Sequence, residues 1–304
     1  LPRPLLYEAW SRTSFPRLKV REYDLVHSTT IVSPPATSQP LVVSVHDLAF
    51  RRFPDRFPQR ARRLFERSWK RVLERADAVL CPSAATSADL LAAGLDTERL
   101  HLVPLGHDPQ IVDKEVAVGV RERFGITGDY ILAAGTLEPR KNIQTLIKAF
   151  LEIAPRTEAQ LVLAGPTGWG TTPEALLQPV DDTLKSRITV TGEITTTELA
   201  ALYSEATVFC YPSLLEGFGL PVLEAMSYRT PVVTSKGTST EEVAADAAVT
   251  VDPYSAHDIA EALQFLLTDA AAAQQIADTG YERSKLFRWD KTATATVEIY
   301  RKLI

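Results

Sequence analysis

The sequence predicts an α/β protein built on two parallel sheets, each covered by helices on both faces. Ten short apolar runs alternate with helical patterns along all 304 residues, and this regular alternation is typical of doubly wound folds. Most of the runs are continuously apolar, as expected of strands buried on both faces of a parallel sheet. The length suits two domains of about 150 residues each.

The predicted strands are short β-branched runs bounded by Gly, Pro, Ser or charged residues. In chain order they are 24–29, 41–46, 78–83, 100–106, 130–135, 159–165, 188–192, 207–213, 230–235 and 247–253. Amphipathic patterns such as NIQTLIKAFLEIA, TTTELAALYSEA and AHDIAEALQFLLTD lie between them and predict helices.

An internal repeat indicates how the chain divides. Segments 75–90 (RADAVLCPSAATSADL) and 205–220 (EATVFCYPSLLEGFGL) share a buried strand with a cysteine, then Pro-Ser, then a helix. A repeated strand–helix unit fits two Rossmann-like domains in tandem. We place the linker around 107–119, where no strand or helix periodicity is visible.

We therefore predict three regions. Residues 1–112 form an N-terminal Rossmann-like domain, 113–288 form a C-terminal one, and 289–304 form a helix that packs back on the first domain. Leu1 opens the chain and Met226 is its only methionine, so we expect that part of the N-terminus is missing.

Composition excludes several classes of protein. Thirty-three Lys and Arg against 38 Asp and Glu give a net charge of −5, which excludes a basic nucleic-acid-binding chain. No apolar run is long enough to span a bilayer, and no signal peptide opens the chain. Cys81 and Cys210 lie in apolar runs, which favours buried, reduced thiols in a cytoplasmic protein.

The positive charge is concentrated near the N-terminus. Residues 1–110 hold 16 Lys and Arg against 12 Asp and Glu, and the remainder holds 17 against 26. The stretch Arg51–Arg75 reads as one helix with Arg60, Arg63, Arg67 and Lys70 on one face. Such a face is a solvated surface, a contact with an anionic acceptor, or a peripheral contact with anionic lipid at the inner membrane face.

Segment 212–226 (PSLLEGFGLPVLEAM) carries two glutamates, Glu216 and Glu224, separated by seven residues. The glycines between them precede a helix that starts near Pro221, and backbone N–H groups at a helix start bind anions. A carboxylate one turn into that helix can accept hydrogen bonds from a ribose diol. The spacing suggests a nucleotide site, although a tight turn with surface glutamates fits it equally well.

Segment 133–150 (AAGTLEPRKNIQTLIKAF) places Arg140 and Lys141 after a strand that ends at Gly135. We predict that Arg140, Lys141 and Asn142 open the following helix. Cations at a helix start are unfavourable against the helix dipole, so a shared anionic ligand such as a diphosphate would explain them. An exposed pair of basic side chains is the alternative.

These motifs together resemble a known family. EPRKN (138–142) after a strand glycine and EGFGLPVLEAM (216–226) resemble the retaining glycosyltransferases of family 4, which have the GT-B fold. SVHDLAF (44–50), VPLGHD (103–108) and the run from 231 to 253 also fit, so the resemblance spans essentially the whole chain. It implies two domains that face a cleft, the first binding the acceptor and the second a nucleotide sugar.

The resemblance also implies roles for individual residues. Arg140 and Lys141 would hold the donor diphosphate, and Glu224 would bind the ribose. The remaining donor-site residues are Gly135, then Thr191, Gly192 and Ile194 against the base, and Glu216 with the amides of Gly217, Phe218, Gly219 and Leu220 facing the sugar and β-phosphate.

The implied donor is a GDP-, UDP-, dTDP- or ADP-sugar, with no obligatory cofactor and no metal site. The acceptor would be a glycan or a lipid-linked sugar in surface polysaccharide or glycolipid assembly. Mannosyl- and rhamnosyl-type transferases are the members that often share EPRKN. A non-catalytic nucleotide-sugar-binding protein without a complete acceptor site and a sugar-nucleotide epimerase of the same fold are the alternatives.

Histidines at strand ends are the candidates in the first domain. His46 follows an apolar strand, where doubly wound sheets place ligands, and the resemblance puts it in the cleft beside the donor sugar. His27 also ends a strand and is a weaker candidate, and His107 is expected only near the hinge. The chain departs from the family pattern in three ways. The strand and glycine-rich loop that normally open such a protein have no counterpart before Leu5, which implies about 70–80 absent residues by the usual size of such a domain. Thr136 stands where arginine is frequent, and Arg229 where glycine is usual.

Overall fold

The ten predicted strands all form, and each lies inside its predicted run. The computed structural model describes residues 3–13, 15–18, 20 and 22–304. The strands are β1 (Val26–Ser28), β2 (Leu41–Ser44), β3 (Ala78–Cys81), β4 (Leu100–Leu102), β5 (Tyr130–Ala134), β6 (Gln160–Ala164), β7 (Ile188–Gly192), β8 (Val208–Tyr211), β9 (Val232–Ser235) and β10 (Val249–Val251).

Helices lie between the strands and at both ends of the described chain. They are α1 (Arg3–Arg12), α2 (Ala49–Arg52), α3 (Gln59–Arg75), α4 (Ala84–Ala92), α5 (Lys114–Arg123), α6 (Ile143–Ile153), α7 (Pro173–Leu177), α8 (Asp182–Lys185), α9 (Thr196–Glu205), α10 (Leu220–Ser227), α11 (Ser239–Ala244), α12 (Ala256–Thr268), α13 (Ala270–Ser284) and α14 (Trp289–Leu303). None of these described helices is both long and apolar enough to cross a membrane.

Two compact units divide the chain. The N-unit comprises residues up to Gly106 together with Arg288–Ile304, and the C-unit comprises His107–Phe287. The last helix, α14, therefore belongs to the N-unit although it follows the C-unit in sequence.

The C-unit holds a six-stranded parallel sheet in the order β10-β9-β8-β5-β6-β7. Counted from β5 as the first strand, this is the 3-2-1-4-5-6 order of dinucleotide-binding folds. On one face, Leu146 and Phe150 of α6 pack with Ile259 and Leu263 of α12 in one apolar core. Continuous burial on both faces explains why these strands read as unbroken apolar runs.

The N-unit holds a four-stranded parallel sheet in the order β1-β2-β3-β4. Adjacent residues of β2 point to opposite faces, as the period of a strand requires. Val43 packs with Trp69 of α3 and Leu90 of α4, whereas Val42 packs with Ile299 of α14. Helix α14 thus covers one face of this sheet.

A glycine allows the chain to approach α14 closely. A Cβ atom at Gly106 would lie 2.1 Å from the backbone nitrogen of Trp289, so any side chain there would displace the start of the helix. The backbone also shows why glycine is usual at position 229. Arg229 has a φ of 58°, in the left-handed region, where glycine is the least strained residue.

Two of the predicted elements were wrong in extent. Helix α5 begins at Lys114, inside the predicted linker 107–119. Its Val-Ala-Val-Gly-Val run hid the helical period, because Ala117 and Val120 are buried while Val118 is exposed. The apolar residues of this run therefore lie on both the buried and the exposed sides of the helix, so the sequence shows no single apolar stripe.

The basic stretch Arg51–Arg75 is not one helix either. It forms α2, a 3-10 turn at Pro54–Arg56 and then α3, because proline lacks the N–H that a continuous helix needs. Arg67 does not lie on an open face: its Nη2 contacts Glu8 of α1 at 3.2 Å. Arg60, Arg63 and Lys70 are exposed as predicted. Cys81 and Cys210 are buried thiols that form no disulfide.

Candidate functional site

The candidate site lies at the carboxyl edge of the C-unit sheet, where the strand order reverses. β5 and β8 are neighbours there, with Ile131 paired to Val208. The chain leaves β5 at Gly135 and leaves β8 towards Glu216. Open α/β sheets bind ligands in the crevice that forms at this switch point.

The segment after β5 turns sharply before α6 begins. Pro139–Lys141 is one 3-10 turn, and Asn142 has a φ of 61°. The sequence predicted Arg140 and Lys141 inside the helix start, and this was wrong. They precede the helix, because left-handed Asn142 interrupts the helical path and α6 begins only at Ile143.

Hydrogen bonds fasten this turn to neighbouring loops. Asn142 Nδ2 donates to the carbonyl oxygens of Pro212 at 3.1 Å and Pro253 at 2.6 Å. The backbone N–H of Leu214 donates to the carbonyl oxygen of Arg140 at 2.8 Å. The loops after β5 and β8 are therefore held together by their backbones, and their side chains converge.

Four side chains donate hydrogen bonds to the Glu216 carboxylate. Oε1 accepts from Lys141 Nζ at 2.7 Å and from Ser213 Oγ at 2.6 Å. It also accepts from the Tyr211 hydroxyl at 3.0 Å, and Oε2 accepts from Arg140 Nη1 at 2.7 Å. A carboxylate offers about four lone-pair positions, so the protein itself satisfies Glu216, whose side chain is 9% exposed.

The charges in this group set its protonation. Burial alone would raise the pKa of Glu216, but Lys141 and Arg140 outweigh that effect and hold the pKa below its ordinary value. Burial lowers the pKa of Lys141, and the Glu216 carboxylate opposes the shift. Glu216 therefore stays ionised at neutral pH and acts as a hydrogen-bond acceptor, not as an acid.

Tyr211 separates this group from the protein interior. Lys141 Nζ lies 4.9 Å from the centre of the Tyr211 ring and also donates to its hydroxyl. Burial raises the pKa of Tyr211 well above its ordinary value. The phenol stays protonated and can pass a hydrogen bond from Lys141 on to Glu216.

A second buried carboxylate, Glu138, completes the group. Glu138 is 4% exposed, and Arg140 Nε contacts its Oε1 at 2.5 Å. Two carboxylates and two cations thus lie together with no net charge. We call these four residues the ion cluster: Glu138, Arg140, Lys141 and Glu216.

Glycines bring the neighbouring loops into backbone contact beside the ion cluster. Gly135 has a φ of 126°, and a Cβ there would lie 3.6 Å from Cε of Lys141. A Cβ at Gly165 would lie 2.3 Å from the Gly135 carbonyl oxygen. The Gly165 N–H in turn donates to the Gly192 carbonyl at 3.2 Å. The loops after β5, β6 and β7 therefore form one continuous edge.

The predicted base-contact residues belong to this edge. Thr191 and Gly192 end β7, and Thr191 Oγ1 donates to the Gly192 carbonyl at 2.9 Å. Ile194 is half-buried. This part of the edge therefore carries short polar groups and one aliphatic side chain. It lies at the end of β7, whereas Lys141 follows β5.

The loop 217–220 leads into α10. Gly219 has a φ of 115°, and a Cβ there would lie 2.9 Å from Thr240 Cγ2, so glycine is required. Phe218 turns inwards, with its ring 5.6 Å from that of Phe287. This loop can therefore offer backbone N–H groups to a ligand, but not the Phe218 side chain.

Glu224 lies outside the ion cluster. Its Oε2 accepts a hydrogen bond from the Tyr203 hydroxyl at 2.9 Å, and burial raises its pKa. It lines a pocket of about 120 Å³ together with His107, Thr196 and Tyr228. The two glutamates of the motif therefore differ in electrostatics: cations lower the pKa of Glu216, whereas burial raises the pKa of Glu224.

The strand-end histidines differ in surroundings. His27 Nδ1 contacts the Tyr300 hydroxyl at 2.5 Å and its Nε2 contacts Ser44 Oγ at 2.8 Å. His27 thus ties β1 and β2 to α14, which is a structural arrangement. His46 is exposed after β2, and its carbonyl accepts from Thr86 Oγ1 at 3.2 Å. Its ring is the one available to a ligand.

His107 lies at the start of the C-unit. Its Nε2 is 3.1 Å from Ser227 Oγ at the end of α10, and burial lowers its pKa. It borders the Glu224 pocket, a position that the sequence did not indicate.

The sequence analysis missed three side chains of the site. Tyr211 and Ser213 flank the proline of the repeated strand–Pro-Ser unit, where the repeat itself was the available signal. Glu138 is the first residue of EPRKN, but nothing local distinguishes it from an exposed glutamate. Among the residues that the structure describes, no three His, Cys, Asp or Glu side chains form a group that could hold a metal ion.

Two α/β units, each with a parallel sheet, are the architecture of the GT-B fold, and the ion cluster lies at the switch point of the C-unit sheet. Comparison with known families agrees. The family described as "Glycosyl transferases group 1" matches residues 121–283, and the one described as "Glycosyltransferase Family 4" matches residues 1–111. The chain belongs to the group 1, family 4 glycosyltransferases.

Individual relatives support this membership. The chain is 30% identical over 312 residues to O-antigen chain mannosyltransferase B of Escherichia coli, covering 99% of this chain and 81% of that protein. Sucrose-phosphate synthase of Thermosynechococcus elongatus is 26% identical with a TM-score of 0.79, covering 100% of this chain and 80% of that one.

A third protein shares the fold. HepE of Anabaena in complex with UDP-glucose has a TM-score of 0.77 at 19% identity, covering 99% of this chain and 81% of that one.

Proposed function

We propose that this glycosyltransferase moves a sugar from a nucleoside-diphosphate donor to a glycan or lipid-linked acceptor, with retention of the anomeric configuration. The observation that carries the proposal is the ion cluster at the switch point of the C-unit sheet. A buried lysine next to a partly buried arginine on one turn is a costly arrangement, and a diphosphate is the ligand whose charge and size they suit. O-antigen synthesis by the E. coli relative supports a role in surface polysaccharide or glycolipid assembly.

The diphosphate would take the place of a carboxylate. Arg140 and Lys141 both bind Glu216 in the structure, and phosphate oxygens can accept the same hydrogen bonds. Glu216 would then be released to accept from hydroxyls of the donor sugar. Because its pKa is low, it would orient the sugar without protonating it.

The rest of the donor would extend along the sheet edge. The N–H groups of 217–220 at the start of α10 suit the β-phosphate. Glu224 would bind the ribose through Oε1, since Tyr203 occupies Oε2. Thr191, Gly192 and Ile194 would face the base, as the family resemblance implies. UDP-glucose bound to HepE supports a nucleotide sugar as the class of ligand.

Transfer then needs no protein nucleophile. The acceptor hydroxyl oxygen bonds to the anomeric carbon on the face from which the diphosphate departs, and the carbon–oxygen bond to the diphosphate breaks. The hydroxyl proton passes to the departing phosphate oxygen. Arg140 and Lys141 stabilise the negative charge that develops there, and His46 of the N-unit would contact the donor sugar.

A ligand panel tests the donor class. Thermal unfolding is measured with GDP-, UDP-, dTDP- and ADP-sugars, with mannose compounds first because of the relative's name. A ligand at about 100 times its Kd should stabilise the protein by about 2.7 kcal/mol. Lys148→Ala, an exposed lysine on α6, should retain this shift, and Lys141→Ala should lose most of it. No shift with any of the four bases would overturn the proposal.

Product analysis tests the reaction itself. Incubation with the donor that binds and with glycan or lipid-linked acceptors should give a product whose anomeric configuration, read by NMR, matches the donor. An inverted product would contradict retention. Binding without any transfer would instead favour a non-catalytic nucleotide-sugar-binding protein.

A further inference from the structure

Glu138 is a buried charge that the proposed reaction leaves without a role. Its side chain is 3% exposed, and its Oε1 lies 2.5 Å from Arg140 Nε. A buried carboxylate is costly unless it is paired, so Glu138 is expected to act through Arg140, the cation that it contacts.

The guanidinium of Arg140 is held on two of its edges. Nε contacts Glu138, while Nη1 donates to Glu216 at 2.7 Å and to the Leu215 carbonyl at 3.2 Å. A guanidinium is planar, so bonds at Nε and Nη1 fix the orientation of the whole group. If Glu216 leaves to meet the donor sugar, the charged contact at Nε does not depend on Glu216 and persists.

Glu138 also acts on the charge of Lys141. Burial lowers the pKa of Lys141, and Arg140 lowers it further, whereas the carboxylates of Glu216 and Glu138 raise it. Tyr211, the remaining titratable neighbour, stays neutral. Once a diphosphate displaces Glu216, Glu138 is the carboxylate of the ion cluster that still faces both cations.

We propose that Glu138 is a positioning residue of the donor site: it orients Arg140 through Nε and stays beside the two cations while Glu216 turns to the donor. This inference rests on the proposed donor site at the ion cluster. It predicts that Glu138 strengthens the binding of an anion although it carries the same charge as that anion.

This sign makes the inference testable with Glu138→Gln, a near-isosteric change that removes the charge. Simple electrostatics predicts tighter binding of inorganic pyrophosphate, because a negative charge is lost. Positioning predicts the reverse: about a tenfold higher Kd for pyrophosphate, UDP and GDP, as expected when a hydrogen bond to a charged group is weakened. Glu158→Gln is the matched control, since Glu158 is exposed in the loop before β6. Unchanged or tighter binding by Glu138→Gln overturns the inference.

A second measurement does not depend on any nucleotide. The Lys141 amino group is titrated by ¹⁵N NMR in the free protein, and its pKa should fall in Glu138→Gln but not in Glu158→Gln. Glu138→Asp keeps the charge but withdraws it from Arg140 Nε. This variant should bind pyrophosphate weakly, while the pKa of Lys141 stays close to its value in the unaltered protein. An unchanged Lys141 pKa in Glu138→Gln overturns the charge-supporting role.

The two proposals fail differently. If the unaltered protein binds neither pyrophosphate nor any nucleotide, the donor site is wrong, whatever the Lys141 titration shows. If it binds them and Glu138→Gln binds them equally well, the donor site stands and the role of Glu138 is wrong. Thermal unfolding of each variant shows whether the fold is retained.

Discussion

Two basic regions of this chain use the same residue types in opposite surroundings. On α2 and α3, Arg51 pairs with Glu66 at 2.6 Å, with side chains 36% and 42% exposed. In the ion cluster, Lys141 pairs with Glu216 at 2.7 Å, with side chains 10% and 9% exposed. The distances are nearly equal, so geometry alone does not separate them.

Burial makes the difference. Exposed pairs contribute about 0–1 kcal/mol because water screens them, and their partners can separate at little cost. Charges in the ion cluster are mostly removed from water, so each depends on the opposite charges beside it. An anionic ligand can therefore replace only a carboxylate of the ion cluster. The comparison teaches that a dense run of exposed arginines is a weaker indication of a functional site than a buried lysine and a partly buried arginine that share one carboxylate.

The largest expected effect comes from removing the shared carboxylate. Glu216→Ala leaves the buried Lys141 and the partly buried Arg140 without their common partner, which should cost about 3–5 kcal/mol and lower the Tm of the C-unit by roughly 10 °C. Glu66→Ala, the equivalent change on α3, should cost at most about 1 kcal/mol. Calorimetric unfolding of both variants measures this, and equal losses would refute the comparison.

The next effect concerns the ligand. Lys141→Ala removes a charge-assisted contact of about 1.5–3 kcal/mol, so the Kd of the nucleoside diphosphate should rise about tenfold or more. Lys70→Ala, on the exposed face of α3, should leave it unchanged. Isothermal calorimetry measures this Kd, and equal affinity in both variants would contradict the assignment of the donor site to the ion cluster.

A smaller effect separates the two glutamates of the motif by pH. The raised pKa of Glu224 means that the folded state binds its proton more tightly than the unfolded state does. This contribution is complete below the ordinary value of 4.5 and is lost as pH rises through the folded pKa. Glu224→Gln should therefore lose less stability than the unaltered protein over that range.

For Glu216, whose pKa is lowered, the stabilising contribution has the opposite dependence: it is present above the ordinary value and is lost as pH falls. Tm measured against pH in both Gln variants tests both signs. If Tm depends on pH in the same way in Glu224→Gln and in the unaltered protein, the pKa of Glu224 is not raised in the folded state.

The smallest effect tests whether the exposed basic face binds membranes. Each basic residue near an anionic surface contributes about 1 kcal/mol, so Arg60, Arg63 and Lys70 should give weak sedimentation with anionic vesicles at low salt. It should vanish at about 1 M salt, where the Debye length is about 3 Å. Arg67→Ala should change little, because Arg67 contacts Glu8.

The four-site alanine variant of Arg60, Arg63, Arg67 and Lys70 should not sediment. Failure of the unaltered protein to sediment would leave α3 as a solvated surface helix.

The sequence by itself determined the ten strands, their parallel α/β class and the two motifs that carry the site. These features are local: apolar runs, turn residues and short motifs can be seen without knowing what lies nearby. The errors arose where locality failed. Asn142 ended a predicted helix start through a left-handed conformation, and α5 was hidden because only its packing against α9 shows which face is buried.

Only the tertiary structure decided which charges belong together. Glu138, Arg140 and Lys141 come from the loop after β5, and Tyr211, Ser213 and Glu216 come from the loop about 70 residues later. No local pattern reveals that Glu138 is buried while Glu66 is half-exposed, or that the pKa of Glu216 is lowered while that of Glu224 is raised. The physical reason is that burial and electrostatic environment depend on groups distant in sequence, which meet only when β5 and β8 lie side by side.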